Sequence, residues 1–276
     1  MKLDAYSWAL ELLPALGGAI GALRHDGHDV LRPAPRGIAD PLAAGCFPLV
    51  PYANRIAHGR FAFAGQEHQL PLNFGDHPHS LHGLGWQAAW TIAATGPDRA
   101  TLAHTHDGGA GWPWAYRAEQ RFTLAPERMR VELSLTNAAD TPMPAGLGLH
   151  PYFPCDAETY LTFTAERVWL ADETMLPTES APAEAFGDWP ATAPVAGTTL
   201  IDNAYDGWDG AAGIGQRWGG FAMRGEGARV LHLYRPPAAD FFCVEPVSHL
   251  PDAINRDGMD VLAPGATLRL AMTLSV

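Results

Sequence analysis

The sequence predicts an all-β fold, a large antiparallel β-sandwich. Apolar and polar residues alternate with a period of two in many short segments, most clearly at residues 129–136 and 267–276. No window keeps the 3.6-residue period of a helix over three turns. The 29 glycines and 24 prolines punctuate the whole chain, which is typical of many short strands joined by turns.

The first third of the chain combines predicted strands with two irregular stretches. Residues 5–32 are predicted to form short strands separated by glycine-containing turns, and residues 60–70 to form a hairpin around Gly65. The proline-rich segment 33–51 is predicted to be a loop. Residues 73–85 are predicted to form a second long loop, which contains several histidines.

The rest of the chain repeats the strand pattern at short spacing. The predicted strands are residues 90–95, 100–106, 116–124, 129–136, 159–170, 229–234, 241–247 and 267–276. The Pro- and Ala-rich stretch 176–198 is expected to be a surface excursion rather than a boundary. Because no linker and no repeat of fixed period interrupts the pattern, one domain is expected over residues 1–276.

Charge and cysteine usage exclude several functions. The formal net charge is −12 and no Lys/Arg run occurs, so neither nucleic acid nor an anionic membrane is an expected partner. Cys46, Cys155 and Cys243 are far apart and form no CxxC pair, which favours the reducing cytoplasm. Residues 9–23 resemble a signal-peptide core, but Glu11 interrupts them, so a cytoplasmic protein is expected. Monomer and homodimer both stay open.

His150 ends a predicted strand at a position that suits proton chemistry. It precedes Pro151, which restricts it to extended conformations, and Tyr152 follows closely. An imidazole titrates near neutral pH and is a frequent general acid or base. The alternative is a structural role, in which His150 caps a strand or satisfies a buried carbonyl.

Glu245 lies in a hydrophobic strand pattern, after Phe241, Phe242, Cys243 and Val244. A buried carboxylate is costly unless it is paired or used, and a hydrophobic setting raises its pKa toward the range of a general base. The alternative is a strand-edge glutamate that points to water.

Asn54 and Arg55 form a third candidate, because a guanidinium offers a rigid set of donors to hydroxyl or carboxylate oxygens. A surface ion pair is the alternative for Arg55. His77, His79 and His82 suggest a metal site of the cupin type. That site would also need a nearby acid, and none follows before Asp98. No cofactor motif is found, so neither a metal nor a cofactor is expected.

Five short segments, four of which contain the candidates above, resemble in this order the aldose 1-epimerase (galactose mutarotase) family. They are Asn54-Arg55, His82 in LHGLGW, His150 in GLHPYF, Asp202 in LIDNAYDGW and Glu245 in VEPVSHLPD. The resemblance runs from about residue 15 to the end of the chain. It implies a galactose mutarotase-like supersandwich with an open sugar cleft. It also implies Glu245 as general base, His150 as general acid, His82 as helper to the acid, and Asn54, Arg55 and Asp202 as sugar ligands.

Two departures from the galactose-specific pattern suggest a distinct bacterial subgroup. Glu245 is followed by Pro-Val-Ser-His-Leu-Pro-Asp, and the His82 loop carries Gly-Trp. Trp86 and Tyr152 could offer flat faces to the C–H side of a sugar, although ordinary core positions are the alternative for each. The sugar itself is not identified by these motifs.

The expected reaction is the interconversion of the α and β anomers of a free monosaccharide. It needs one group that removes the C1 hydroxyl proton and one that protonates the ring oxygen. A phosphorylated sugar ranks lower because only Arg55 and Arg60 lie near the motifs. Two functions of a different class stay open: a carbohydrate-binding sandwich without catalysis, and a cupin-like metalloenzyme that uses His77, His79 and His82.

Overall fold

Strands account for nearly all regular structure in the computed structural model, which describes residues 1–256 and 258–276. Those residues form 26 strands and five short 3₁₀ turns. The first strands are β1 (Lys2–Ala5), β2 (Trp8–Leu13), β3 (Ala19–His25), β4 (His28–Leu31), β5 (Cys46–Leu49), β6 (Arg55–Ile56), β7 (Arg60–Phe63), β8 (Gln66–Gln69), β9 (Ser80–Leu81), β10 (Thr91–Thr95), β11 (Arg99–Asp107), β12 (Ala115–Ala125) and β13 (Arg128–Asn137). The later strands are β14 (Met143–Ala145), β15 (Gly148–Pro154), β16 (Tyr160–Phe163), β17 (Arg167–Ala171), β18 (Pro177–Pro182), β19 (Ala193–Pro194), β20 (Ile201–Asp206), β21 (Ala211–Gln216), β22 (Gly219–Glu226), β23 (Val230–Arg235), β24 (Phe241–Val247), β25 (Asp260–Leu262) and β26 (Thr267–Ser275). The 3₁₀ turns are Pro41–Ala43, Ala57–Gly59, Ala183–Phe186, Trp189–Ala191 and Ala253–Asn255.

Two large antiparallel sheets organise these strands. The first has the order β1-β2-β3-β5-β15-β24-β23-β20-β17-β18, with β4 paired to β3, and the second has the order β10-β11-β12-β13-β26-β22-β21-β16-β19. Two-stranded ribbons pair β6 with β9, β7 with β8, and β14 with β25. The predicted all-β antiparallel sandwich is therefore confirmed. In the described part of the chain, no helix has the length and apolar character needed to cross a membrane.

The two sheets share an apolar core that follows from strand alternation. On β13, Met129, Val131 and Leu133 are buried, and β26 supplies the matching face. Phe153 of the first sheet contacts Phe221 of the second with ring centroids 5.7 Å apart. Because successive side chains of a strand point to opposite faces, the neighbours of Phe153 on β15 at even-numbered positions face away from the second sheet.

Four predicted segments differ in part from the structure, and the first is the predicted loop 73–85, which contains β9. The predicted loop 33–51 contains β5, a fully buried strand in the middle of the first sheet, although Pro48 lies within it. The predicted strand 159–170 is two strands, β16 and β17, which belong to different sheets. The stretch 176–198 is mostly exposed, as a surface excursion would be, but it also supplies the terminal strands β18 and β19 of the two sheets. It is anchored by Trp189, which is buried and whose indole N–H donates to the Tyr205 hydroxyl at 3.0 Å.

Candidate active site

The outer face of the first sheet carries two rows of site residues. Strand register places directly opposed residues on one face of a sheet, and residues two apart on a strand share that face. The first row runs across four neighbouring strands as Phe47, His150, Glu245 and His232. The second row lies two residues further along as Tyr152, Cys243, Tyr234 and Asp202. Residues far apart in sequence therefore meet because of antiparallel pairing alone.

A cavity of about 290 Å³ opens over these rows. Asn54 and His82 from loops and Arg55 from the start of β6 line it together with residues of the two rows. Arg32 and Phe241 line it as well. This volume is close to the lower end of small-ligand pockets, which run from roughly 300 to 1,000 Å³. A single sugar ring suits such a cavity better than a larger ligand does.

His150 and Glu245 form a buried pair beneath the cavity. His150 Nε2 lies 3.3 Å from Glu245 Oε1, and Glu245 is only 1% exposed. The His150 ring stacks between Phe47 and Tyr152, with centroids 4.6 and 4.8 Å away. His150 Nδ1 and Glu245 Oε2 are buried without a hydrogen-bond partner among the described residues. The alternative of a strand-edge glutamate pointing to water is therefore wrong.

Burial shifts both titrating groups of this pair toward their neutral forms. It raises the pKa of Glu245 well above its ordinary value, and the Asp202 charge adds to the rise. It lowers the pKa of His150 to about 3, with His232 adding to the fall. In this neutral pair the Glu245 carboxylic acid holds a proton that the His150 imidazole can accept, so the pair can separate into a carboxylate and an imidazolium.

His82 faces the same cavity from a loop, in a backbone conformation that few residues adopt. Its φ is +59° and that of Asn54 is +57°. The two residues hold each other, because His82 N–H donates to the Asn54 carbonyl at 2.8 Å and Asn54 N–H donates to His82 Nδ1 at 3.1 Å. Since Nδ1 accepts, the neutral ring carries its proton on Nε2. Strained backbone of this kind is common at functional sites.

Burial lowers the pKa of His82 well below its ordinary value, and the neighbouring His150 lowers it further. The two rings meet edge to face with centroids 5.4 Å apart. His82 is thus a neutral hydrogen-bond donor next to His150, which suits an auxiliary position rather than that of the main acid.

Asp202 is fixed as a carboxylate at the other end of the second row. Its Oδ2 accepts from an Arg55 Nη2–H at 2.9 Å, and its Oδ1 lies 2.6 Å from His232 Nε2. Burial opposes ionisation of Asp202, but His232 and Arg55 outweigh it and hold its pKa well below the usual range. An ionised carboxylate only accepts, so His232 Nε2 carries a proton. Arg55 is 11% exposed, so a surface ion pair is the wrong description of it.

Asn54 completes this corner of the cavity. Its Oδ1 accepts from Arg55 Nη1–H at 3.0 Å and from the Arg55 backbone N–H at 2.9 Å. The guanidinium therefore bridges Asn54 and Asp202 and is held in one orientation. Fixed charges and donors of this kind can hold hydroxyl groups without reorganising.

The two aromatic candidates have different positions. Tyr152 lines the cavity in the second row. Trp86 is 1% exposed and does not line it; its indole N–H donates to the Leu81 carbonyl, and its ring packs against Phe47 and the edge of His82. The structure thus places Trp86 behind the cavity, where it supports His82.

His77 and His79 do not join His82 in one cluster. The backbone N–H of His79 donates to His77 Nδ1, and His79 Nδ1 accepts from the His58 backbone N–H. No group of three or more His, Cys, Asp or Glu side chains in residues 1–256 and 258–276 is placed to hold a metal ion. The described residues therefore do not supply the ligand set that a cupin-like site needs.

Sequence reasoning misses His232, Tyr234 and Arg32 as site residues. The alternation of the predicted strand 229–234 places His232 and Tyr234 on one face, opposite Leu231 and Leu233. That polar face is the available signal. Arg32 follows the short strand β4 in a proline-rich stretch, where no sequence pattern points to a site.

Comparisons with known proteins identify the family of the chain. The family model described as aldose 1-epimerase matches residues 12–275. The chain is 36% identical to the uncharacterized protein YphB of Escherichia coli (strain K12), over 94% of this chain and 93% of that protein. It is 31% identical to the galactose mutarotase of Mus musculus, over 46% of this chain and 39% of that protein.

A solved structure of a candidate aldose 1-epimerase from Escherichia coli K12 superposes on the chain with a TM-score of 0.91 at 33% identity. The superposition covers 99% of this chain and 97% of that one. The likeness therefore extends over the sheets that carry the two rows of site residues as well as the loops around them.

Proposed function

The chain belongs to the aldose 1-epimerase family, and on that premise we propose that it interconverts the α and β anomers of an unphosphorylated aldose monosaccharide. The observation that carries the proposal is the buried His150–Glu245 pair, 3.3 Å apart beneath a sugar-sized cavity. A site that only binds sugars has no need for two titrating groups that are removed from water. Burying such groups costs stability, and titrating groups with strongly shifted pKa values are typical of catalytic sites.

Anomer exchange requires two proton transfers at neighbouring oxygens of the sugar. The neutral pair first passes its proton from Glu245 Oε1 to His150 Nε2, which lie 3.3 Å apart. In the charge-separated form that results, Glu245 takes the proton of the C1 hydroxyl and the His150 imidazolium protonates the ring oxygen. The bond between C1 and the ring oxygen breaks, and C1 becomes an aldehyde carbon. Rotation about C1–C2 and the reverse transfers then close the ring on the other face. No electron is gained or lost, and the pair returns to its first state.

The remaining residues have roles that follow from their fixed positions. His82 Nε2–H is free to donate toward the ring oxygen beside His150, since its Nδ1 is already bonded to Asn54. Arg55 and Asp202 present a donor and an acceptor to the sugar hydroxyls. Tyr152 offers a ring face at the cavity wall. A general acid–base pair typically contributes on the order of 10² to 10⁴ in rate.

The test is NMR exchange spectroscopy between anomers over a panel of aldoses, compared with the spontaneous reaction in the same buffer. Glu245→Gln should lower the enzymatic exchange rate by about 10²- to 10⁴-fold. Glu67→Gln, at an exposed position on β8, is the matched control and should leave the rate unchanged. If the wild type accelerates no aldose, or if Glu245→Gln is as active as the wild type, the proposal is wrong.

A further inference from the structure

Arg32 is a cation of the cavity wall that the proposed reaction does not use. Its guanidinium lies 4.1 Å from the Tyr152 ring centroid and 4.5 Å from that of Phe241. One terminal nitrogen, Nη2, donates to the carbonyls of Leu42 and Ala44 at 2.7 and 3.1 Å. Nε and Nη1 have no hydrogen-bond partner among the described residues. The group is therefore held in place while two of its donor atoms stay available.

The charge of Arg32 is not neutralised by a carboxylate. Within the described chain it forms no ion pair, whereas the other cavity arginine, Arg55, is paired with Asp202. Asp29 and Asp240 line an adjoining cavity that Arg32 also borders, but neither pairs with it. Because the His150–Glu245 pair is neutral as a whole, the cavity keeps one uncompensated positive charge. A partly buried charge of this kind favours an anionic group on the ligand.

The position of Arg32 matches one part of a sugar molecule. His150, Tyr152 and the guanidinium stack in sequence, so Arg32 lies on the His150 side of the cavity. The first and second rows are two residues apart along the strands, or roughly 6.6 Å. In a pyranose the exocyclic C6 is bonded to the carbon next to the ring oxygen. A sugar whose ring oxygen faces His150 can therefore place C6 over Tyr152, within reach of Arg32.

We propose that the substrate is a uronic acid, an aldose whose C6 is a carboxylate, and that Arg32 binds this carboxylate. This inference rests on the proposed mutarotase function. One free guanidinium balances the single charge of a carboxylate. A phosphate monoester carries about −1.5 to −2 at pH 7 and three acceptor oxygens, more than Arg32 alone can satisfy. Arg32 is thus the residue that determines specificity, while His150 and Glu245 act on the anomeric centre.

The experiment compares three forms of the same sugars: glucose and galactose, their uronates, and their 6-phosphates. Anomer exchange is measured for the wild type, Arg32→Met and Arg32→Lys, with thermal unfolding to verify the fold. Arg32→Met removes the charge and keeps an unbranched apolar side chain over the aromatic rings. It should lower kcat/KM for the uronates by about 10- to 100-fold more than for the matching neutral sugars. Arg32→Lys should retain part of the uronate activity.

A parallel calorimetric titration of wild type and Arg32→Met with uronate separates this inference from the proposed function. Uronate binding that depends on Arg32 supports the assignment of Arg32 as the carboxylate ligand, whether or not a sugar is turned over. A protein that binds uronate but turns over no sugar would refute only the mutarotase proposal. Neutral sugars turned over as efficiently as uronates, or 6-phosphates preferred over them, would overturn the carboxylate assignment. An equal loss for all sugars in Arg32→Met would also overturn it and leave Arg32 a structural role.

Discussion

Replacing His150 by glutamine tests whether the buried pair is neutral or ionic. Burial lowers the pKa of His150 from its ordinary value of 6.5 to about 3. The unfolded chain therefore binds a proton at His150 as the pH falls below 6.5, while the folded protein does not. Stability that is present above pH 6.5 is lost as the pH falls toward 3, at about 1.4 kcal/mol per pH unit.

The size of the effect follows from the shift. The full difference between 6.5 and about 3 sets a ceiling of about 5 kcal/mol, and the part between pH 6.5 and 4.5 is about 3 kcal/mol. Glutamine does not titrate, so His150→Gln should lose about 3 kcal/mol less stability than the wild type between pH 6.5 and 4.5. Loss of the stacking of His150 with Phe47 and Tyr152 adds an offset of about 1 kcal/mol or more that does not change with pH.

The assay is urea unfolding at half-unit steps from pH 7.5 to 4.5, with wild type and His150→Gln compared in both the Glu245 and the Glu245→Gln backgrounds. The second background removes the titration of Glu245, whose raised pKa works in the opposite direction: its contribution is lost as the pH rises. If the free energy of unfolding changes with pH in the same way with and without His150→Gln, the lowered pKa of His150 is wrong. A wild type that gains stability relative to His150→Gln on acidification would show an ion pair instead.

Two further predictions concern the supports of the site. His232→Leu removes one of the two charge-assisted hydrogen bonds of Asp202, so the pKa of Asp202 should rise. The acid limb of the pH–activity profile should then move to higher pH, and kcat/KM should fall by about 10- to 100-fold. An acid limb at the same pH as in the wild type would contradict this. Gly83→Ala should destabilise the chain in thermal unfolding by about 1–3 kcal/mol and lower activity, because φ is +72° and the new Cβ would overlap the Val50 carbonyl oxygen. Gly65→Ala is the matched control, since φ is +76° but nothing lies within 4 Å; equal losses in both variants would refute the steric argument.

Much of the fold could be predicted because its signals are local. The alternation on β13 and β26 follows directly from one buried and one wet face, and the hairpin at Gly65 follows from turn chemistry. Prediction failed where tertiary packing overrides such signals. Pro48 lies within a central strand although proline normally marks an edge or a loop, and Trp189 anchors a mostly exposed Pro- and Ala-rich stretch to the core.

The candidate site divides in the same way. His150 and Glu245 can be identified from sequence because a titrating residue within an apolar pattern and before proline is unusual in any fold. Their contact, and the two rows to which they belong, depend on the register of strands almost a hundred residues apart. His232 and Arg32 carry no local signal of comparable strength, since their importance comes from Asp202 and Tyr152, which lie next to them only in three dimensions.

By itself, the sequence determined the strand periodicity, the all-β class and the residue types capable of proton transfer, because each depends on chemistry within a few residues. Only the tertiary structure decided which of those residues face one cavity, which charges are compensated and which way burial shifts each pKa. Those properties depend on distances across strands, and electrostatic and desolvation effects follow such distances rather than separation along the chain. The uncompensated charge of Arg32 belongs entirely to this second group.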